Sequence, residues 1–204
     1  MAYTIEEEQE LNELKEWWKE NGKLVILAFV VGIAGVVGWR FWQNYQVNQI
    51  MAASSDYSEL ARSATADGKA AHAKVEQFVQ AHDKTSYAVF ALLDEAKGLV
   101  AEKDYARAEQ SLQQALNQSQ DEVLSALASL RLGALQLQLG KLDAALNTLS
   151  AVKAEAFIAR KALLEGDIQL AKSDSAAAKS AFELAVQKGT PAEQQLARMK
   201  LNNL

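Results

Sequence analysis

The chain has 204 residues, enough for one globular domain of about 150 residues and an attachment. Acidic residues outnumber basic ones by 26 to 21, and no basic block builds the field that binding to a nucleic-acid backbone requires, so nucleic acid is excluded as a partner. The absence of cysteine excludes disulfides, thiolate metal sites and a cysteine nucleophile.

The composition predicts an all-α fold. The chain is rich in alanine, leucine, glutamine and lysine, and it holds a single proline and ten glycines. Residues of high helix propensity with few breakers favour helices joined by short turns.

Residues 1–23 are predicted to form an acidic amphipathic tail on the cytoplasmic side. They hold seven glutamates against three lysines, and Leu11, Leu14 and Trp18 share one face of a helix. Asn21-Gly22 marks the point where this helix could be interrupted.

Residues 24–42 are predicted to be a transmembrane helix. Leu24–Trp39 contains sixteen consecutive uncharged, almost wholly apolar residues, and continuation to Trp42 extends the span to about 30 Å, the hydrocarbon thickness. The preceding segment is acidic and the following residues are bulky, which is unlike a cleavable signal peptide. The alternatives are a buried core helix and a cleaved scaffold whose mature N-terminus lies beyond residue 50.

The flanks of this segment predict its orientation. Two tryptophans, Trp17 and Trp18, precede it, and tryptophan, phenylalanine and tyrosine side chains lie at its other end, so aromatic rings lie where both headgroup layers would lie. The N-terminal flank carries three lysines, whereas the C-terminal flank carries one basic residue, Arg40. The N-terminus is therefore expected in the cytoplasm and the C-terminal domain outside it.

Small residues form a seam on the predicted span. Ala28, Gly32 and Gly35 fall within about 60° of one another on a helix, which would let a second membrane helix approach closely. The alternative is that glycine is simply common in membrane spans.

Residues 43–54 are predicted to be a helical linker, and residues 55–204 a helical-repeat domain. Three stretches read as helix, tight turn and helix, and their turns are spaced by 37 and 33 residues, close to the 34-residue tetratricopeptide period. The expected units are a degenerate hairpin at 55–82 around Asp67-Gly68-Lys69, repeats at about 87–118, 121–153 and 156–188, and a capping helix at 191–203.

Small and large residues recur at fixed places in the three repeats. The first helices carry a small residue where two helices cross, and the second helices carry alanine followed four residues later by a large side chain. These positions are Ala96, Gly133 and Gly166; Ala108, Ala145 and Ala178; and Leu112, Leu149 and Phe182. The aromatic residue usual in the second turn of the first helix is absent from all three.

The residues give no reason to expect an enzyme, a cofactor or a small-molecule substrate. No metalloprotease, hydrolase or nucleotide-binding motif occurs. The two histidines, His72 and His82, are ten residues apart, which puts them on different faces of a helix, and a metal site needs three or four converging ligands. Exposed polar histidines are therefore expected, with no catalytic or metal-binding residue.

The concave face of the repeats is the candidate binding surface. In a stacked solenoid the first helices line this face, and their mixed apolar and charged side chains suit an extended or partly unfolded polypeptide. The candidates are Phe90, Leu93, Lys97, Leu127, Arg131, Ala134, Gln138, Arg160 and Asp167. Ordinary core packing is the alternative for Phe90, Leu93 and Leu127.

The segments "WWKENGK", "GWRFWQ" and "ARMKLNNL", together with the three repeats, resemble the YfgM family over nearly the whole chain. The resemblance implies an ancillary subunit of the bacterial SecYEG translocon. It further implies one inner-membrane span and a periplasmic tetratricopeptide domain that works beside the chaperone PpiD and assists translocating or unfolded polypeptides.

A regulatory scaffold, whose cytoplasmic tail sequesters a signalling partner, is the alternative function. Deletion of residues 1–20 separates the two hypotheses. Loss of partner binding would favour regulation, and retained association with the translocon would favour the chaperone function.

Overall fold

A computed structural model of the chain describes residues 5–63 and 68–204, with side chains from 9–63 and 72–204. The first residues of the predicted tail, 1–4, and Asp67 of the expected Asp67-Gly68-Lys69 turn lie outside these ranges, whereas Gly68 and Lys69 begin a helix. The described residues form α-helices and one 3-10 turn and include no strand, which confirms the all-α prediction. The helices are α1 (Ile5–Ser63), α2 (Gly68–Ala81), α3 (Ser86–Ala101), α4 (Tyr105–Gln118), α5 (Glu122–Gln138), α6 (Leu142–Ser150), α7 (Ile158–Ala171), α8 (Ser175–Lys188) and α9 (Pro191–Leu201), with the 3-10 turn at Glu155–Phe157.

The chain divides into two compact units, Met1–Met51 and Ala52–Leu204. The first unit is the larger part of α1. Among the described residues, α1 is the one helix long and apolar enough to cross a membrane, and none of its most apolar window is buried in protein. A fully exposed apolar surface of this length requires a nonpolar surrounding.

The helix continues through Asn21-Gly22, the point at which the sequence left an interruption open. The amide of Asn21 donates a hydrogen bond to the Trp17 carbonyl oxygen at 3.1 Å. The indole of Trp18 lies against Gly22, where an added Cβ would be 3.2 Å from the ring. These local contacts, between residues four apart on one helix face, favour the continuous helix.

The second unit is a stack of helical hairpins. Within the hairpins, α3 packs on α4, α5 on α6, and α7 on α8. Between hairpins, α3 contacts α5, α5 contacts α7, and α7 contacts α9. This is the arrangement expected of a tetratricopeptide-like solenoid, in which each hairpin contacts its neighbours.

The three repeat turns share one backbone geometry. In each, one residue has a left-handed φ, and the next residue donates its N–H to the carbonyl five residues earlier, which closes the preceding helix as in a Schellman motif. The left-handed residues are Lys103 (φ 64°), Gly140 (φ 71°) and Ser173 (φ 63°). The closing bonds run from Asp104 to Leu99, from Lys141 to Gln136 and from Asp174 to Gln169, at 2.8, 2.8 and 2.9 Å.

The small crossing residues lie against the large ones within a hairpin. A Cβ added to Gly133 would be 3.0 Å from a methyl group of Leu149, and one added to Gly166 would be 2.2 Å from the Phe182 ring. Leu149 and Phe182 are fully buried. Glycine therefore sets how closely α5 and α7 approach the second helix of each pair.

In the predicted hairpin at 55–82, the first arm is the end of α1 and the second is α2. The expectation of exposed histidines is wrong for His82, which is 9% exposed. Its Nε2 is 2.8 Å from Asp56 Oδ2, and its ring centroid is 4.8 Å from that of Phe78. The contact with a carboxylate on α1 offsets the free-energy cost of burying this polar side chain.

Candidate polypeptide-binding cleft

A cleft of about 400 Å³ lies between α3 and α5, the first helices of the first two repeats. It brings together five of the nine residues predicted for the binding surface. Those five are Leu93, Lys97, Arg131, Ala134 and Gln138. We refer to this feature below as the cleft.

Helical periodicity explains why these side chains meet. Residues three or four apart lie on one face of a helix, and this spacing puts Leu93, Lys97 and Val100 along α3. The same spacing aligns Arg131, Ala134 and Gln138 along α5. Two neighbouring first helices thus each contribute one row of side chains.

The floor of the cleft is apolar, and only part of it is predictable from the sequence. Ala96, Val100, Leu112 and Leu135 complete its lining. Leu112 occupies a large packing position of the repeat pattern, as Leu149 and Phe182 do in the next two repeats, so periodicity points to it. Val100 and Leu135 carry no comparable sequence signal, because their place depends on how α3 and α5 stack.

Polar groups lie at the rim. Arg131 Nη1 is 3.4 Å from the Leu93 carbonyl oxygen, to which it donates a long hydrogen bond across the cleft. Gln138 Nε2 donates to the Tyr105 hydroxyl at 3.3 Å. Lys97, Arg131 and Gln138 are all exposed, so their polar groups can reach an occupant of the cleft.

The other four predicted residues lie elsewhere. Phe90 packs in an aromatic group with Tyr57 and Tyr87, at centroid separations of 6.3 and 6.1 Å. Leu127 is half-buried against the core formed by α2 to α5. Both residues contribute to packing in the structure, outside the cleft lining.

Arg160 and Asp167 each pair with the last helix. Arg160 Nε is 2.9 Å from Glu193 Oε1, and Lys200 Nζ is 2.6 Å from Asp167 Oδ1. These two ion pairs hold α9 against α7, so the two side chains are engaged within the protein.

Ala28 and Gly32 line a shallow apolar depression on α1, together with Phe29 and Val36. Gly35 does not line it. Apart from the helix's own nearby backbone, no atom of the described residues lies within 4 Å of a Cβ added at Gly32 or Gly35, so the glycines of the predicted seam are open to a neighbouring helix.

A second cavity, of about 480 Å³, lies where α1, α2 and α3 meet within the second unit. The Tyr57 hydroxyl donates to Asp94 Oδ2 at 2.6 Å. Burial and this hydrogen bond raise the pKa of Tyr57 to about 12. Glu95 lies nearby, and its carboxylate accepts from Ser111 Oγ at 2.7 Å and contacts His72 Nδ1.

The part of the chain that the structure describes contains no group of three or more histidine, aspartate or glutamate side chains that could hold a metal ion. His72 on α2 faces the Glu95 carboxylate, and His82, directly after α2, faces the Asp56 carboxylate. Both pairs join neighbouring elements of the fold.

Comparison with known proteins gives the family. A family model described as a tetratricopeptide repeat-like domain matches residues 15–204. A relative from Haemophilus influenzae, named ancillary SecYEG translocon subunit, is 59% identical over the whole of both chains. The chain belongs to the YfgM family. A relative of the same name from Aggregatibacter actinomycetemcomitans is 48% identical over the whole of both chains. Another from Escherichia coli is 35% identical over 97% of this chain and 96% of the relative.

This YfgM-family chain has a distant neighbour among solved structures. A chain described as MamA 41-end from Desulfovibrio magneticus RS-1 matches at 21% identity and a TM-score of 0.49, over 68% of this chain and 75% of that one. That likeness is too distant to bear on function. The family assignment confirms the predicted tetratricopeptide-like solenoid, and with the long apolar helix it describes a membrane-anchored member of a protein-interaction family.

Proposed function

We propose that the protein is a non-enzymatic ancillary subunit of the SecYEG translocon that receives polypeptide segments as they leave the channel. Full-length relatives carry that name at up to 59% identity. The observation that carries the proposal is the cleft, an apolar trough with a polar rim on the stacked first helices. Such a surface suits extended chain segments that have not yet buried their apolar side chains.

In this proposal, α1 anchors the protein in the inner membrane with its N-terminus in the cytoplasm and the repeat domain in the periplasm. The charge difference between the flanks of the span supports the orientation, since three lysines precede it and Arg40 follows. The domain would then lie on the side where translocated chains emerge.

Anchoring explains how a modest cleft can function. Fixing a weak binder beside its source of ligand raises the effective concentration to the millimolar range without adding any contact. Weak binding that releases quickly is useful for handing a client to the periplasmic chaperone PpiD, which we propose as a second partner. The seam at Ala28, Gly32 and Gly35 is proposed as the surface that approaches a membrane helix of the translocon or of PpiD.

Photocrosslinking in membranes tests the proposal. A photoreactive residue would replace Ala134, at the rim of the cleft, in membranes that hold the SecYEG translocon and a secretory precursor stalled during export. Lys179, exposed on α8 and outside the cleft lining, would be the matched control position.

The expected result is an adduct between the position 134 probe and the stalled precursor, with little or none from position 179. The adduct should disappear when the precursor is released. Equal adducts from both positions, or none from position 134 while the translocon is occupied, would contradict a role of the cleft in receiving polypeptides.

A further inference from the structure

The charged groups that line the cleft are all positive. Two cations, Lys97 and Arg131, and one neutral amide, Gln138, accompany six apolar residues, and no carboxylate is among them. Residues 46–204 as a whole carry 19 acidic and 17 basic side chains. The positive cleft therefore contrasts with a slightly negative domain.

Some cations elsewhere in the stack form ion pairs, but in the described part of the chain Lys103, Lys153 and Lys179 form none. Carboxylates of neighbouring elements pair with the basic residues that bridge the hairpins: Glu109 with Lys141, Asp143 with Lys172, Glu155 with Lys188, Asp167 with Lys200 and Glu193 with Arg160. Within the described ranges, neither Lys97 nor Arg131 forms an ion pair.

The acids closest to Lys97 along α3 already have partners on other elements. Asp94 accepts the hydroxyl of Tyr57 at 2.6 Å. Glu95 accepts the hydroxyl of Ser111 at 2.7 Å and contacts His72. These contacts hold both carboxylates at the second cavity, which Lys97 also borders and to which Glu102 contributes a third carboxylate.

The two cations line the same cleft. Arg131 Nη1 reaches the backbone of α3 at Leu93, and the Lys97 backbone lies four residues, or roughly 6 Å, further along that helix. Like charges that share a cleft repel each other. An incoming carboxylate would relieve that repulsion, and the guanidinium offers it a two-pronged set of donors.

We propose that the cleft selects extended polypeptide segments in which an aspartate or glutamate lies within two residues of a large apolar side chain. The apolar side chain packs against half-buried Val100 and exposed Ala134, above the buried Leu112 and Leu135, and the carboxylate binds between Lys97 and Arg131. The inference rests on the proposed function, because it names the class of segment that the same cleft receives. The weakly negative domain cannot supply this preference by its overall charge.

Peptide binding to the full-length protein in detergent micelles tests the selectivity. Three fluorescent nine-residue peptides would be compared by anisotropy: one with leucines and two glutamates, one with the same leucines and two lysines, and one with the glutamates but serine in place of leucine. The leucine–glutamate peptide is expected to bind about tenfold more tightly than the leucine–lysine peptide, at roughly threefold for each exposed charge contact. The preference should shrink as salt is added.

Charge substitutions in the protein locate the preference. Lys97→Gln with Arg131→Gln should abolish it, and Lys97→Glu with Arg131→Glu should reverse it toward the leucine–lysine peptide. Lys153→Glu with Lys179→Glu is the matched control, because both lysines are exposed outside the cleft and the net charge changes equally. Circular dichroism of each variant verifies the fold, and the glutamine pair keeps the test informative if the glutamate pair unfolds.

Each outcome has a distinct meaning. If no peptide binds and position 134 captures no precursor, the proposed function fails together with the inference. If the two leucine peptides bind equally, or if the Lys153 and Lys179 pair changes the preference as much as the cleft pair, only the selectivity is overturned. Tightest binding of the serine–glutamate peptide would also overturn it, because the apolar floor would then contribute nothing.

Discussion

Replacing Gly166 with alanine should destabilise the repeat domain, because the added methyl group has no room. Its Cβ would be 2.2 Å from one carbon of the Phe182 ring and 2.6 Å from two others. Phe182 is fully buried, so the ring cannot swing into solvent. Overpacking of this kind costs about 1–3 kcal/mol, and the contact distance favours the upper part of that range even after the gain in helix propensity of up to about 1 kcal/mol.

Gly98→Ala is the matched control. Gly98 lies inside α3, and nothing is within 4 Å of an added Cβ. The same chemical change should therefore stabilise the protein there by about 0.5–1 kcal/mol. Two identical substitutions in first helices are thus expected to have effects of opposite sign.

Urea unfolding of the full-length protein in detergent, followed by circular dichroism at 222 nm, measures both free energies. Phe182→Leu should relieve the clash, so the double variant with Gly166→Ala should be more stable than the sum of the two single effects implies. If Gly166→Ala proves as stable as the wild type, or if the two effects add, the assigned α7–α8 packing is wrong.

Three further stability effects follow from local contacts. Burial and the hydrogen bond to Asp94 raise the pKa of Tyr57 to about 12, so the free energy of unfolding should fall as pH rises from 10 to 12. Urea titrations should show that Tyr57→Phe removes this fall, and the same pH dependence in the variant would contradict the assignment to Tyr57. The N–H of Thr190 lowers the pKa of Glu193, so the carboxylate stabilises α9 above its ordinary pKa and loses this effect as pH falls through the lowered value. Glu193→Gln should cost about 1 kcal/mol at pH 7 and flatten the acid-side loss in urea titrations, whereas an unaltered acid profile would refute the capping role. Ser173→Gly should raise the melting temperature by roughly 2–4 °C, since glycine adopts the left-handed φ of 63° without a Cβ clash, and a lower melting temperature would show that this φ is not strained.

Periodic features of the fold were accessible from the sequence. The repeat pattern predicts Gly133 and Gly166 at crossing positions and Leu149 and Phe182 at packing positions, because a repeat imposes the same constraint at the same place each time. The structure places each glycine against its large partner. The left-handed φ of the turn residues is harder to predict from the sequence. Gly140 is a glycine, the residue type that favours this conformation, whereas Lys103 and Ser173 adopt it in turns closed by backbone hydrogen bonds.

Features that depend on distant partners could not be predicted in the same way. His82 looked like a surface residue, and its burial depends on Asp56, 26 residues earlier in the chain. Arg160 and Asp167 had the right spacing for the concave face, but α9 supplies oppositely charged partners for both. The apolar floor at Val100 and Leu135 similarly depends on the stacking of α3 and α5, which composition does not report.

The absence of cysteine from the chain allows the membrane arrangement to be measured directly. Single cysteines would be introduced as Gln9→Cys in the exposed tail and Gln187→Cys on the exposed side of α8, and spheroplasts would be treated with a membrane-impermeant maleimide before and after lysis. The proposed anchored module requires labelling at position 187 in intact spheroplasts and at position 9 only after lysis. Labelling at position 9 alone, or at both positions before lysis, would contradict a periplasmic repeat domain held by one membrane span.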